Sequence, residues 1–332
     1  MGKTAKKPNN LYEILEVSSR ARPEVIESAY DVLIKEYKGD KRVAERLAEA
    51  KDILLDKKKR SEYDKERNDL VGKVIGNYRI LELIAKGGFG KTYKGEQITL
   101  NTPVCIKHSN YVSPQDEEIL LEEAKSIWDL RHYSIPTMRD ILKLDDGSHA
   151  LVMSYISGPT LEQIIDKNRK LDPEHVAWIT ERVLNALKYL HYNGVVHGDV
   201  KPQNIIIQPE SHHVVIVDYG LSLIRPSRDS SSKGYTLYFA SPEQERGDPL
   251  LPESDFYGLG MTMIYALGGD IIKKKVPHYV PDSMCEFIKR FIVYDVLDRP
   301  NWQKEDLCDT LKKLRQKEFG RLSSKMRPIK GF

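Results

Sequence analysis

Cysteine is scarce, with three in 332 residues. Cys105, Cys285 and Cys308 are far apart, odd in number and without metal-ligand spacing. Neither a disulfide framework nor a zinc module is expected, and a reduced, intracellular setting is. Long apolar runs are missing too, since none reaches the roughly 20 residues that a membrane-spanning helix needs. The basic start MGKTAKKPNN is followed by no apolar stretch, so no secretory signal is expected. Lys6 stands where a myristoylation signal after Met-Gly needs Ser or Thr. The cytoplasm is the expected location. Charge of one sign is also lacking. The 52 Lys and Arg against 49 Asp and Glu leave +3, too little to make nucleic acid the main ligand. There is no internal repeat and no low-complexity tract. What remains is a composition of 40% hydrophobic and 30% charged residues, that of a packed globular chain long enough for two domains.

The first ~70 residues read as helical, dense in charge and nearly free of β-branched runs. Asn10 is placed to cap a short helix, LYEILEV, and Pro23 suits the first turn of a longer one. Ile26, Tyr30, Leu33 and Tyr37 form one stripe, and Val43, Leu47, Ala50 and Leu54 a second at the same period. The basic run DKKKRSEYDKER reads as a last short helix. From Asn77 the pattern turns strand-like: YRILELIAKGGFGKTYKGEQ, then TPVCIKHS, a helix from Gln115 to Arg131, and HALVMSYIS. From about Thr160 the chain is mainly helical. Asp172-Pro173-Glu174 starts a helix whose stripe is Val176, Ile179, Val183, Leu187 and Leu190, and Asn193-Gly194 stops it. From Thr310 on, eight Lys or Arg face one acidic residue, Glu318, which reads as a solvated helix end and a loose terminus.

The stretch HGDVKPQN, 197–204, puts Asp, Lys and Asn between two apolar runs, where a loop is held rigidly by buried elements. Asp199 there is suited to take a hydroxyl proton, Lys201 to neutralise a phosphate, and Asn204 to offer an amide oxygen to a metal. In VVIVDYG a Val- and Ile-rich strand ends in Asp218. With Asn204 it makes a plausible oxygen pair for Mg²⁺, which takes few protein ligands and phosphate oxygens besides. AKGGFGKTY supplies Gly87, Gly88 and Gly90 between two strands, where backbone N–H groups can approach phosphate. It is not a Walker loop, because no Gly-Lys-Ser/Thr opens a helix. Lys107 ends an apolar strand. It either snorkels to solvent or is held by a carboxylate of the next helix, Glu123 or, failing that, Glu122.

Taken in order, AKGGFGKTY, VCIK, Glu123, HGDVKPQN, DYG, SPEQ, SDFYGLG and DRP resemble the eukaryotic-type (Hanks-type) Ser/Thr protein kinase catalytic domain. Asp199 and Asp218 are 19 positions apart, and Asp218 and Glu243 are 25, which suits a catalytic loop followed by an activation segment. The resemblance implies an α+β, two-lobed kinase fold, with an N-lobe over 78–156 and a C-lobe over 157–310. It also implies ATP and Mg²⁺ between the lobes and γ-phosphoryl transfer to Ser or Thr of a protein substrate. It makes Asp199 the catalytic base and Lys201 the residue steadying the γ-phosphate. Asn204 and Asp218 become the Mg²⁺ ligands, and Lys107 with Glu123 the ion pair of the active arrangement. Ile84, Ala85, Lys86, Gly87, Gly88, Phe89, Gly90 and Thr92 would wrap the nucleotide. Met153 would be the gatekeeper, with Ser154 to Ile156 the hinge. Glu243 with Arg299, and Asp255 bracing the catalytic loop, would carry architecture. Lys201 and Thr236 favour Ser/Thr over Tyr as acceptor. With SPEQ they also favour a protein acceptor over a small molecule such as an aminoglycoside or choline.

Four departures matter. Ala85 stands where the first glycine of the phosphate loop is usual, and Gly198 where Arg often precedes the base. Tyr219 replaces Phe, and Ser154 an acidic hinge residue. Cys105 reads as a small apolar filler of the adenine pocket. Without an Arg at 198, a phosphate on the activation segment has less charge to organise, so activity is expected not to depend on one at Ser227, Ser230, Ser231, Ser232, Tyr235 or Thr236. The alternative to an enzyme is an ATP-binding pseudokinase scaffold. Residues 9–67 resemble a J-domain, a small all-α helical module, through LYEILEV, AY, L and Y at their spacing, and R.EYD. Where that family has His-Pro-Asp, this chain has Lys38-Gly39-Asp40. A degenerate module over 1–66 is therefore expected to dock a partner or regulate the kinase, without productive Hsp70 stimulation. A linker over 67–77 and a basic tail over 311–332 complete the expected division.

Overall fold

The computed structural model describes residues 11–331 apart from 18–20, 38, 68–69, 87–89, 110–113, 145–146, 228–229 and 231. Asn10, Lys38, Gly87, Gly88, Phe89 and Ser231 therefore lie outside the described residues. The chain divides into two compact units between Val71 and Gly72.

The first unit is helical: α1 (Leu11–Ile14), α2 (Pro23–Glu36), α3 (Lys41–Leu55) and α4 (Lys57–Arg67). Pro23 opens α2, as its fixed φ and missing N–H suit a first turn. Ile26 and Leu33 are buried against Leu47, Ala50 and Leu54, with Leu11, Tyr12 and Leu15 completing the core. Tyr37 falls just past α2 and is exposed. Asp40 caps α3, its carboxylate accepting from Arg42 N at 3.0 Å and Val43 N at 3.2 Å. The Tyr12 hydroxyl donates to Asp64 at 2.8 Å and accepts from Arg60 Nε at 3.0 Å, joining α1 to α4.

The second unit begins with a six-stranded antiparallel sheet, ordered β1-β2-β3-β4-β6-β5. Its strands are β1 (Val74–Ile75), β2 (Tyr78–Lys86), β3 (Gly90–Gln97), β4 (Thr102–Ser109), β5 (Met138–Lys143) and β6 (His149–Ser154), with α5 (Pro114–Ile127) between β4 and β5. β1 falls in the expected linker and pairs with Tyr78 and Arg79 of β2. Then come α6 (Leu161–Asn168), α7 (Pro173–Tyr192), β7 (Val195–Val196), β8 (Ile205–Gln208), β9 (His213–Ile216) and β10 (Leu223–Ile224). The chain closes with α8 (Pro242–Glu245), α9 (Pro252–Ala266), α10 (Asp282–Phe291) and α11 (Leu307–Phe319).

The core centres on α7 and α9. α7 starts at Pro173 under an Asp172 cap and ends at Asn193, and its stripe Val176, Ile179, Val183, Leu187 and Leu190 is buried. α9 is buried on nearly every face, including Phe256, Leu259, Met263 and Ile264, as a helix without a polar side must be. The short strands β7 and β8 lead into and out of residues 197–204, so that loop is anchored at both ends in the core.

The terminus is not loose. Arg315, on α11, is buried and bonds Glu174 at 2.9 Å and Glu181, both on α7. The Trp178 indole donates to Ser324 O at 3.0 Å, a His175 ring nitrogen meets Arg327 O at 3.1 Å, and Met326 and Ile329 are buried. The basic residues conceal an anchored strap because their partners are acids about 130 to 150 positions away.

Candidate active site

The sheet register lines up one row of residues. Ala85 lies opposite Thr92, Thr92 opposite Lys107, and Cys105 opposite Met153. Cross-strand partners share a sheet face, as do alternate residues along a strand, so all five line the same face. Ala85 is not in a positive-φ conformation, and its methyl carries no backbone strain there. Gly90 opens β3, and a Cβ on it would overlap the His108 carbonyl, so this close approach requires glycine. Ile84 and Lys86 are exposed at the end of β2. Ser154 ends β6, its N–H donating to Thr137 O and its hydroxyl accepting from Thr137 N, both at 2.9 Å. Tyr155 and Ile156 follow outside regular structure.

Lys107 is buried, and its ammonium donates to Glu123 Oε2 and Asp218 Oδ1, each at 2.6 Å. Glu123 is the residue of α5 that turns inward, whereas Glu122 pairs with Lys125 at 2.6 Å on the surface. Burial works against the Lys107 charge, but the two carboxylates outweigh it and raise its pKa. Burial raises the Glu123 carboxyl despite Lys107. For Asp218 the same opposition ends the other way: burial would raise the carboxyl, Lys107 wins, and the pKa falls to about 2. Asp218 adopts φ +67, a left-handed conformation that Asp enters more readily than most residues. Tyr219 N donates to Glu123 Oε1 at 3.3 Å, so one α5 carboxylate holds both Lys107 and the backbone after Asp218.

Asp199 is 8% exposed. Its Oδ1 accepts from the Thr236 hydroxyl at 2.7 Å, and its Oδ2 meets Lys201 Nζ at 2.7 Å and Asn204 Nδ2 at 2.9 Å. Lys201 also donates to Thr236 Oγ1 at 2.8 Å, closing a ring of three side chains. Asn204 Nδ2 reaches the Asp199 carbonyl as well, at 2.9 Å. With the amide nitrogen so used, the amide oxygen is the donor Asn204 has to offer a ligand. Val217 N donates to Asn204 O at 2.8 Å, bringing the residue before Asp218 against the end of the loop.

Asp255 braces this loop from α9. Its Oδ2 accepts from His197 N and its Oδ1 from Gly198 N, both at 2.8 Å. Glu243 and Arg299 form a buried two-point pair at 2.6 and 2.8 Å. Several supporting residues escaped the sequence reading. His191 reaches Asp255 Oδ2 at 2.8 Å and takes the Trp302 indole N–H on its other nitrogen at 2.8 Å. His197 meets Val217 O through Nε2 and Asp199 N through Nδ1, both at 3.2 Å, which fixes one tautomer. Burial lowers its pKa and keeps it neutral. Gln244 donates to Gly198 O at 2.7 Å and Gly234 O at 3.0 Å. Only the places of His197 in HGDVKPQN and of Gln244 in SPEQ were signals for these.

Among the described residues, no helix is long and apolar enough to cross a membrane. Residues 78–325 match the model of the protein kinase domain, and residues 10–64 match that of the DnaJ domain. The chain is 34% identical over 209 residues to serine/threonine-protein kinase PrkC of Bacillus subtilis (strain 168), a match covering 61% of this chain and 32% of that protein. It is 32% identical over 218 residues to serine/threonine-protein kinase pkn3 of Myxococcus xanthus, covering 61% and 40%. It is 31% identical over 223 residues to serine/threonine-protein kinase D of a Synechocystis strain, covering 61% and 42%. The chain thus spans well under half the length of these relatives.

Proposed function

This chain belongs to the protein kinase family, and we propose that it transfers the γ-phosphate of ATP to serine or threonine of protein substrates, with Mg²⁺, in the cytoplasm. The observation that carries the reading is the ring of Asp199, Lys201 and Thr236, together with Lys107 held at 2.6 Å from both Glu123 and Asp218. Lys107, Glu123, Asp199, Lys201, Asn204 and Asp218 are each present and engaged, which favours an enzyme over a pseudokinase scaffold.

Asn204 and Asp218 offer an amide oxygen and a carboxylate, hard donors that fit Mg²⁺, an ion that keeps most of its sphere for phosphate and water. Among the described residues no group of three or more His, Cys, Asp or Glu forms a rival site. When bound, the ion would neutralise phosphate charge. Asp218 suits the task because Lys107 keeps it ionised, with a pKa of about 2. Lys107, fixed by Glu123, presents its charge to the nucleotide phosphates without having to be ordered during the reaction. Asp199 orients the acceptor hydroxyl and receives its proton on the carboxylate. Thr236 and Lys201 hold that carboxylate in place, and Lys201 adds positive charge beside the transferred group. The backbone of Ser154 to Ile156 would pair with adenine beside Met153. Ile84 through Gly90, with Thr92, would cover the phosphates.

The J-like module expected over 1–66 is read as a docking or regulatory module. That Asp40 is engaged in capping α3 supports a structural role for the one residue retained from His-Pro-Asp, with no productive Hsp70 stimulation. The test of the enzyme is labelled phosphate transfer from MgATP by the full chain to itself and to a general protein substrate, followed by phosphoamino-acid analysis. Phosphoserine and phosphothreonine are expected, and Asp199→Ala abolishes them. A wild type that binds MgATP and labels nothing would establish the scaffold instead.

A further inference from the structure

Gly198 occupies the place before the base, and its backbone would strain a larger residue. Its φ is +74, and a Cβ there would come 2.7 Å from Leu221 O and 3.3 Å from Leu250 Cδ1. This position therefore supplies no cation to pair with a phosphorylated activation segment. The segment is nonetheless held, with the Thr236 hydroxyl 2.7 Å from Asp199.

Beside these contacts stands an uncharged one. Gln244, on α8, is 5% exposed, and its Nε2 donates to Gly198 O at 2.7 Å and to Gly234 O at 3.0 Å. Gly198 is the residue before Asp199, and Gly234 lies two before Thr236. One amide nitrogen, with its two hydrogens, thus ties the catalytic loop to the segment that presents the threonine. Lys233 closes the same segment from its other end, its Nζ donating to Ser222 O at 2.8 Å. Both contacts end on backbone carbonyls, so neither needs a phosphate.

We propose that Gln244 is a positioning residue of the phosphotransfer site, its carboxamide taking the structural part that an arginine–phosphate pair would otherwise play. The inference rests on the kinase reading above and names how that site is kept assembled without phosphorylation. Losing the clamp should leave the nucleotide side untouched, because the hydrogen bonds of Gln244 go to Gly198 and Gly234 and those of Lys107 to Glu123 and Asp218. It should free Thr236 from Asp199 and expose Lys233.

The test uses the full chain with Gln244→Met, which keeps the length and removes both donors. Gln244→Glu serves as a second variant should the first fail to fold. Measured are MgATP affinity, kcat and KM for a general protein substrate, limited trypsin cleavage after Lys233, and the activity of phosphatase-treated wild type. Expected are a kcat/KM loss on the order of 10²-fold for the protein substrate and unchanged MgATP affinity. Cleavage after Lys233 should be about tenfold faster, and dephosphorylated wild type fully active. Wild-type rates and trypsin resistance in the variant would overturn the proposal. So would a wild type that dies on dephosphorylation and revives on rephosphorylation. If no form of the chain transfers phosphate, the functional reading fails on its own, and the trypsin comparison alone then decides the clamp.

Discussion

Replacing Thr236 with Val tests the ring around Asp199 most sharply. The exchange keeps shape and removes one hydroxyl, which donates to Asp199 Oδ1 at 2.7 Å and accepts from Lys201 Nζ at 2.8 Å. Hydrogen bonds to charged partners are worth about 1.5–3 kcal/mol each. Lys201 keeps its contact with Asp199 Oδ2 at 2.7 Å, so the net loss is about one such bond rather than two. About 2 kcal/mol of lost positioning lowers kcat roughly 30-fold, since each ~1.4 kcal/mol is a factor of ten. Steady-state phosphorylation of a general protein substrate, at saturating MgATP, reads that change. Nucleotide affinity should hold, because the Thr236 hydroxyl bonds Asp199 and Lys201 and not Lys107, Glu123 or Asp218. Thr236→Ser restores the hydroxyl and should restore most of the rate. Undiminished kcat in the Val variant would show that the Thr236 hydroxyl does not position Asp199. A Ser variant as slow as Val would likewise show that the hydroxyl does not set the rate.

Two stability predictions follow from buried or capping contacts. Glu243→Gln leaves the Arg299 guanidinium buried without its counter-charge, which costs about 3–5 kcal/mol and should lower the Tm of the second unit by on the order of 10 °C in a calorimetric scan. Burial would raise the Glu243 carboxyl, but the bonds from Arg299 and Ser254 outweigh it and its pKa is lowered. Its contribution is therefore whole above the ordinary glutamate range and is lost as pH falls through the lowered value. Wild type and Glu243→Gln should accordingly converge in stability in acid and diverge toward neutrality. Asp40→Ala removes the cap of α3 and should cost the first unit about 1 kcal/mol, read from the thermal loss of its helical signal in the full chain.

Much of this was legible in the sequence where the signal is local. The α7 helix announced itself with Asp172-Pro173 at its start, a five-residue apolar stripe and Asn193 at its end, and each is where the spacing puts it. Glu123 and Glu122 could not be separated by spacing alone. The structure separates them, because only one lies on the face of α5 that meets Lys107. The helix expected from Gln115 to Arg131 ends sooner, at Ile127, where the chain turns toward β5. β5 went unseen because its sequence, MRDILK, mixes charge with apolar residues and gains its strand character only from pairing with β6. The C-terminal strap and the Gln244 clamp were hidden for a related reason. The acids that hold Arg315 are 134 or more positions from it, and the Gly198 end of the clamp is 46 positions from Gln244, separations that no local pattern encodes.

Lys107 and Asp218 are proposed to serve one bound nucleotide. Titrating MgATP into the full chain, by calorimetry, and repeating it with Lys107→Met and Asp218→Asn tests this directly. Expected are submillimolar binding by wild type, at least about tenfold weaker binding by each variant, and loss of Mg²⁺ dependence in Asp218→Asn. Equal binding by all three proteins, or none by the wild type at millimolar MgATP, would contradict it.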